Sequence, residues 1–151
     1  MNPDTASIGV SDPKRMLQSV LAALNEGKIA DAVDQFDDHF TFTDHALDLE
    51  FTDKGRLTEF FQKSRELFPD TVVEVDSSFQ CGDHAIAEWK LTATTQAMPY
   101  GSTRFRIPIS LRGTSIVHTK NGRITHWSDY YDQNRSWRFS LAAIFKEWIE
   151  Y

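Results

Sequence analysis

The chain reads as an α+β domain, with helices packed on one face of a curved antiparallel sheet. Three observations predict this class. Apolar residues recur at helical spacing up to about residue 36, and again over residues 54–68. Beyond Pro69 the apolar period changes from helical to two. Finally, Asn121-Gly122 sits between two alternating segments, the strongest short signal for a hairpin.

The elements follow in order. Residues 1–11 are small and polar and read as a loose arm. Asp12-Pro13 reads as an N-cap followed by proline at the first helical position. Met16, Leu17, Val20, Leu21 and Leu24 then lie on one helical stripe, and Asn25-Glu26-Gly27 stops it. Ile29, Ala32, Val33 and Phe36 mark a second, short amphipathic helix, close enough in sequence to pack against the first. His39 to Asp44 alternates and reads as a strand, and residues 44–54 as a polar connection. A third helix is expected from about Lys54 to Phe68, with Leu57, Phe60, Phe61, Ser64, Leu67 and Phe68 on one stripe. Pro69 ends it.

Strands are expected over residues 71–80, 84–95, 104–119 and 123–132. In the first, Val73, Val75 and Phe79 share a face. In the second, Ala85, Ala87, Trp89, Leu91 and Ala93 alternate with Ile86, Glu88, Lys90, Thr92 and Thr94. Residues 96–103 read as a loop, and Gly113 as a bulge or bend in the third strand. Trp137–Trp148 reads as a terminal helix.

At 151 residues the chain fits one domain with a single core, so residues 1–151 are expected to fold as a unit. A hydrophobic content of 40% with 25% charged residues marks a globular chain rather than a disordered one. The formal net charge of −6 repels phosphate backbones, so nucleic acid is not an expected partner. No apolar run approaches the ~20 residues of a membrane helix, and the start resembles no secretory leader. A cytoplasmic location without membrane association is the default expectation. The single cysteine, Cys81, excludes an internal disulfide and reads as a small buried or half-buried thiol.

The chemistry concentrates in the closing strand, where nine residues carry a His, a Trp, two Tyr and two carboxylates. Rings and acids of this kind are costly to bury unless they line a cavity or an interface. Trp127, Asp129 and Tyr131 share a face, and Glu88 and Lys90 point together from their own strand. If both faces look inward, a Glu–Lys–Asp cluster sits on a wall of rings. Asp129 is then the candidate general acid or base, with Glu88 and Lys90 tuning it. Alternatively the three form an ion pair that holds the sheet without reacting. If Glu88 and Lys90 look inward, Trp89 faces outward and predicts a dimer interface. Phe42, Phe61, Trp127 and Tyr131 are candidate walls of a substrate pocket, and His45 would stand at its mouth. His84, His118 and His126 are too scattered in sequence for a metal-ligand pattern and read as structural or exposed. No phosphate loop and no nucleophile elbow occurs.

Three stretches together resemble the nuclear transport factor 2-like superfamily and, within it, the SnoaL-like polyketide cyclases. They are Phe42-Thr43-Asp44-His45-Ala46 running to Phe68-Pro69-Asp70, Gly82 through Thr92, and Gly113 through Asp132. The resemblance covers roughly residues 12–135. It implies a cone-shaped α+β barrel with N-terminal helices on the concave face of the sheet, a deep apolar pocket, and a homodimer through the outer sheet face. It further implies a cofactor-free, metal-free cyclase or isomerase acting on a small apolar or aromatic molecule, polyketide- or steroid-like. Two other readings stay open. One is a non-catalytic ligand-binding or structural dimer. The other is water addition to an epoxide, because Trp127-Ser128-Asp129-Tyr130-Tyr131-Asp132 also resembles limonene epoxide hydrolases, in which the matching aspartate helps activate a water. An Arg and an Asp support it there, whereas Glu88 and Lys90 stand at those positions here.

Overall fold

A capped helix opens the fold. Helix α1 (Pro13–Asn25) begins at Asp12, whose carboxylate accepts the Arg15 N–H, with proline in the first turn. It buries Leu17, Val20 and Leu21. A short α2 (Ile29–Val33) follows. Helix α3 (Lys54–Leu67) is capped in the same way by Asp53, which accepts the Arg56 N–H, and it buries Leu57 and Phe60. The computed structural model describes residues 12–95, 98–100 and 103–132. The arm expected at residues 1–11 and the helix expected over 137–148 lie outside the described residues.

The remaining elements are strands β1 (Phe36–Asp44), β2 (Leu49–Phe51), β3 (Val72–Cys81), β4 (His84–Thr94), β5 (Met98–Tyr100), β6 (Thr103–Phe105), β7 (Pro108–Lys120) and β8 (Arg123–Tyr131). Six of them form one sheet in the order β2-β1-β8-β7-β4-β3, and β5 pairs with β6 separately. The sheet is antiparallel except where β1 and β8 run parallel, with Asp44 opposite Asp129. Among the described residues it does not close on itself. The core lies between the helices and the concave sheet face. Trp127 is buried there, with its ring stacked on Phe42 at 6.2 Å and 17°.

Two side chains fix the helices to the sheet. The Asn25 amide donates to the Val73 carbonyl and accepts the Val73 N–H, both at 2.8 Å, so the end of α1 is bonded to β3 as if it were a further strand residue. Arg65 on α3 donates to the Leu24, Asn25 and Thr71 carbonyls at 3.4–3.5 Å. A helix C-terminus leaves carbonyls without intrahelical partners, and here a cation meets them.

Several sequence expectations are corrected. Phe36 begins β1 instead of ending α2. The connection 44–54 contains β2, and the expected loop 96–103 contains part of a small hairpin. In β3 the register shifts between Val75 and Ser77. That extra residue reverses the alternation, so Val73 and Val75 pack on the core while Phe79 is 63% exposed. Cys81 is exposed, at the rim of the β3–β4 turn. Gly113 is no bulge, since the β4–β7 register runs through it unbroken.

Gly113 instead makes room. A methyl group there would overlap the Trp89 ring and the Tyr130 carbonyl. Gly113→Ala is therefore expected to lose roughly 1–3 kcal/mol through overpacking. Its denaturation midpoint should fall, and an unchanged midpoint would contradict the close approach.

Candidate functional site

Between the helices and the concave face lies a cavity of about 200 Å³. Its helical wall is built by Leu21, Leu24, Phe60 and Phe61, and its sheet wall by Trp89, Leu111 and Trp127. Four polar residues gather at one end: Asp44, Ser115, Asp129 and Tyr131. Strand geometry explains the gathering. Asp129 and Trp127 are two apart on β8 and share a face. Ser115 on β7 and Asp44 on β1 are the direct cross-strand neighbours of Asp129.

Asp129 is held by a chain of donors. The Ser115 hydroxyl donates to Asp129 Oδ1 at 2.5 Å, and the Trp127 indole N–H donates to the same oxygen at 2.7 Å. Ser115 in turn accepts the Trp89 indole N–H at 2.9 Å. Among the described residues both donors converge on Oδ1, and the Asp129 side chain lines the cavity.

Removal from water is the main reason that the Asp129 carboxyl is pushed up to about 7. The Ser115 hydrogen bond opposes the rise, the nearby Asp44 charge adds to it, and the Trp127 donor opposes it. Asp44 is buried, and burial raises its pKa too. The Leu47 N–H and the Tyr131 hydroxyl, each at 2.9 Å, offset part of that rise. Burial and the adjacent Asp44 push the Tyr131 hydroxyl upward, so it stays a proton donor. Among the described residues, no Lys or Arg pairs with Asp44 or Asp129. Nor do these two carboxyls gather with a third metal-ligating group.

At the helical end of the cavity the polar groups are occupied by backbone. Arg65 and Asn25 make the bonds described above, and the Ser64 and Thr71 hydroxyls donate to the Phe60 and Phe68 carbonyls. The arrangement therefore offers a poised carboxyl, grouped with Asp44, Ser115 and Tyr131 at one end of a ring-walled space. A carboxyl that titrates near neutrality exchanges protons readily in either direction at that pH.

Phe42, Phe61, Trp127, Tyr131 and Asp129 all line this cavity. Glu88, Lys90 and His45 do not. On β4 the inward positions belong to Ala85, Ala87 and Trp89, and the parity of a strand turns Glu88 and Lys90 to the outer face. Glu88 is exposed there and accepts the Ser77 hydroxyl at 2.9 Å. The expected Glu–Lys–Asp cluster does not form. Trp89 is buried in the pocket, so it supplies no outer interface. His45 follows Asp44 and turns to the opposite side, exposed, with its ring stacked on Tyr130 at 4.2 Å. The residues that sequence reasoning missed are Asp44, Ser115 and Trp89. Asp44 shares its parity with Phe42, which was the available signal. Its partnership with Asp129 depends on the parallel β1–β8 pairing, which no local pattern announces.

Ser115→Ala removes the donor that favours the ionised carboxylate. The Asp129 pKa should then rise above its value of about 7, carrying any basic limb of a pH–rate profile upward with it. NMR titration of the carboxyl checks the direction, and a downward move would contradict the assigned bond.

A family model described as a SnoaL-like domain matches residues 17–127. No curated protein matches the chain in sequence. Solved structures of similar fold include a candidate polyketide cyclase from Streptomyces antibioticus, at 16% identity and TM-score 0.70, covering 80% of this chain and 92% of that one. An LEH-like epoxide hydrolase from M. tuberculosis aligns at 13% identity and TM-score 0.69, covering 94% of this chain and 98% of that one. An NTF2-like protein from Burkholderia thailandensis aligns at 14% identity and TM-score 0.67, covering 80% and 90%. Identities this low carry the fold and leave the chemistry to the site. With the family model spanning helices, sheet and most of the cavity wall, the chain belongs to the SnoaL-like family, on a nuclear transport factor 2-like fold.

Proposed function

We propose that this protein catalyses cofactor-free proton transfer on a small apolar or aromatic substrate, a cyclisation or isomerisation, with Asp129 as general acid or base. The observation that supports it is the Asp129 carboxyl: near-neutral in pKa, fixed through Oδ1, and part of the cavity lining. Ser115 and Trp127 hold it, and Trp89 holds Ser115. Tyr131, bonded to Asp44, places a second proton donor at the same end of the cavity. A cavity of about 200 Å³ exceeds the ~150 Å³ that accepts benzene. It falls below the ~300–1,000 Å³ of sites for drug-sized ligands. A one- or two-ring substrate therefore suits it better than a four-ring one. The homodimer implied by the family resemblance belongs to the same proposal, with the exposed cross-strand pair Phe79 and Ile86 on the outer sheet face as the apolar patch it would cover.

The test is hydrogen–deuterium exchange at carbons beside the carbonyl in a panel of one- and two-ring ketones, followed by NMR in heavy water. The expected result is exchange above background for at least one ketone, with a limb near pH 7. Ketones that bind without exchanging would instead support the non-catalytic reading. Water addition to an epoxide is the second reading, favoured by the apposition of two carboxyls, the buried Asp44 and the half-buried Asp129. Diol formation from small cyclic epoxides in place of ketone exchange would identify it.

A further inference from the structure

The outer face of the sheet, opposite the cavity, carries a row of side chains that the sequence scatters. His84 on β4 pairs with His118 on β7, and His118 pairs with His126 on β8. Direct cross-strand partners share a face, so the three imidazoles form one line across three adjacent strands. Their ring centroids are 3.8 Å apart between His84 and His118, and 5.3 Å between His118 and His126. Cys81 pairs with His84 across the β3–β4 turn and extends the line by one strand.

The surrounding bonds set the tautomers of the two flanking rings. His84 Nδ1 lies 2.6 Å from the Asp83 carboxylate, which only accepts, so Nδ1 carries a proton and Nε2 is the nitrogen that would meet a metal. The Thr125 hydroxyl donates to the His118 carbonyl, so its oxygen accepts from His126 Nδ1, which leaves the lone pair on Nε2. A carboxylate or hydroxyl behind Nδ1 is the support that metal-ligating histidines usually have.

We infer that His84, His118 and His126 form a surface site for a divalent transition-metal ion that favours imidazole nitrogen, such as Zn²⁺ or Ni²⁺. As the rings stand, no three of them converge on one point. Zinc–nitrogen bonds of ~2.0–2.1 Å draw ring nitrogens to within about 3.5 Å of one another. Strands ~4.8 Å apart allow this if the outer two rings swing over the central one. His84 and His126 are both exposed and have room to turn. The site is independent of the cavity chemistry, and it reverses the sequence expectation that these histidines hold no metal. In sequence they lie far apart, and only the strand register brings them together.

Isothermal titration of the full chain with Zn²⁺ tests this. Saturable binding at one site is expected, unaffected by excess Mg²⁺, with His118→Ala and His126→Ala each weakening it at least about tenfold. His126 is exposed, so its variant keeps the fold even if His118→Ala does not. His39→Ala, on β1 outside the row, should leave affinity unchanged. Absence of saturable binding, or full affinity retained in His126→Ala, would overturn the site.

Discussion

Asp129→Asn should remove turnover while leaving the fold intact. Asparagine has the shape of aspartate, and its carbonyl oxygen can still accept from Ser115 and Trp127, the two donors that fix the side chain. What it loses is the ability to take or give a proton. Removal of a general acid or base lowers rates by about 10²–10⁴-fold, and ketone exchange followed by NMR reads that loss directly. A variant exchanging at the parent rate would end the catalytic assignment of Asp129. Binding of the same ketones should survive, because the apolar walls supply most of it.

The same substitution should strengthen the protein at alkaline pH. The Asp129 carboxyl has a pKa of about 7 in the folded chain against 3.8 for the free group. Between those values the folded state holds a proton that the unfolded state has released. Stability from this group is therefore full below about pH 4 and falls as pH rises towards 7. At 1.36 kcal/mol per pKa unit the loss is on the order of 4 kcal/mol. That is a large share of the ~5–15 kcal/mol that holds a typical domain together. Asp129→Asn has no charge to desolvate, so its denaturation midpoint should exceed that of the parent at pH 8 and the gap should close near pH 4. Denaturant melts at both pH values check it, and a gap independent of pH would show that the carboxylate is not sheltered. Asp44, raised in the same direction by burial, adds to the parent's slope and is shared by both proteins.

Two kinds of information decided what the sequence could reveal. Period and punctuation were local, so α1, α3 and the four long strands could be read directly. The same is true of Asp129, because Trp127, Asp129 and Tyr131 lie within five residues on one face. Parity was readable, but its absolute sense was not. Glu88 and Lys90 alternate with Ala87 and Trp89, and nothing within β4 says which set faces the helices. The charged pair was assigned inward and is outward, because two alanines and a tryptophan fill a wall that two charges would have to leave water to reach. Phe79 was misplaced for another reason: a one-residue register shift upstream of it leaves no mark in composition. Asp44 and the histidine row were hidden more deeply. Each depends on which strands become neighbours, and that is settled by the whole sheet.

The parallel pairing of β1 with β8 has one more consequence. The two strands that bring the paired acids together are neighbours in the sheet, yet they are the first and last strands of the described chain, with Asp44 and Asp129 85 positions apart. Contacts of such long range raise the entropy that must be lost before any benefit accrues, and they slow folding. During synthesis β8 emerges last of the six sheet strands, so it can slot between β1 and β7 only after the other five are made. Until then β1 has a bare edge towards the missing strand, and the hollow has no floor. Nascent chains of this protein are thus expected to lean on chaperones until β8 has emerged, and to acquire ligand affinity in a single step once it docks.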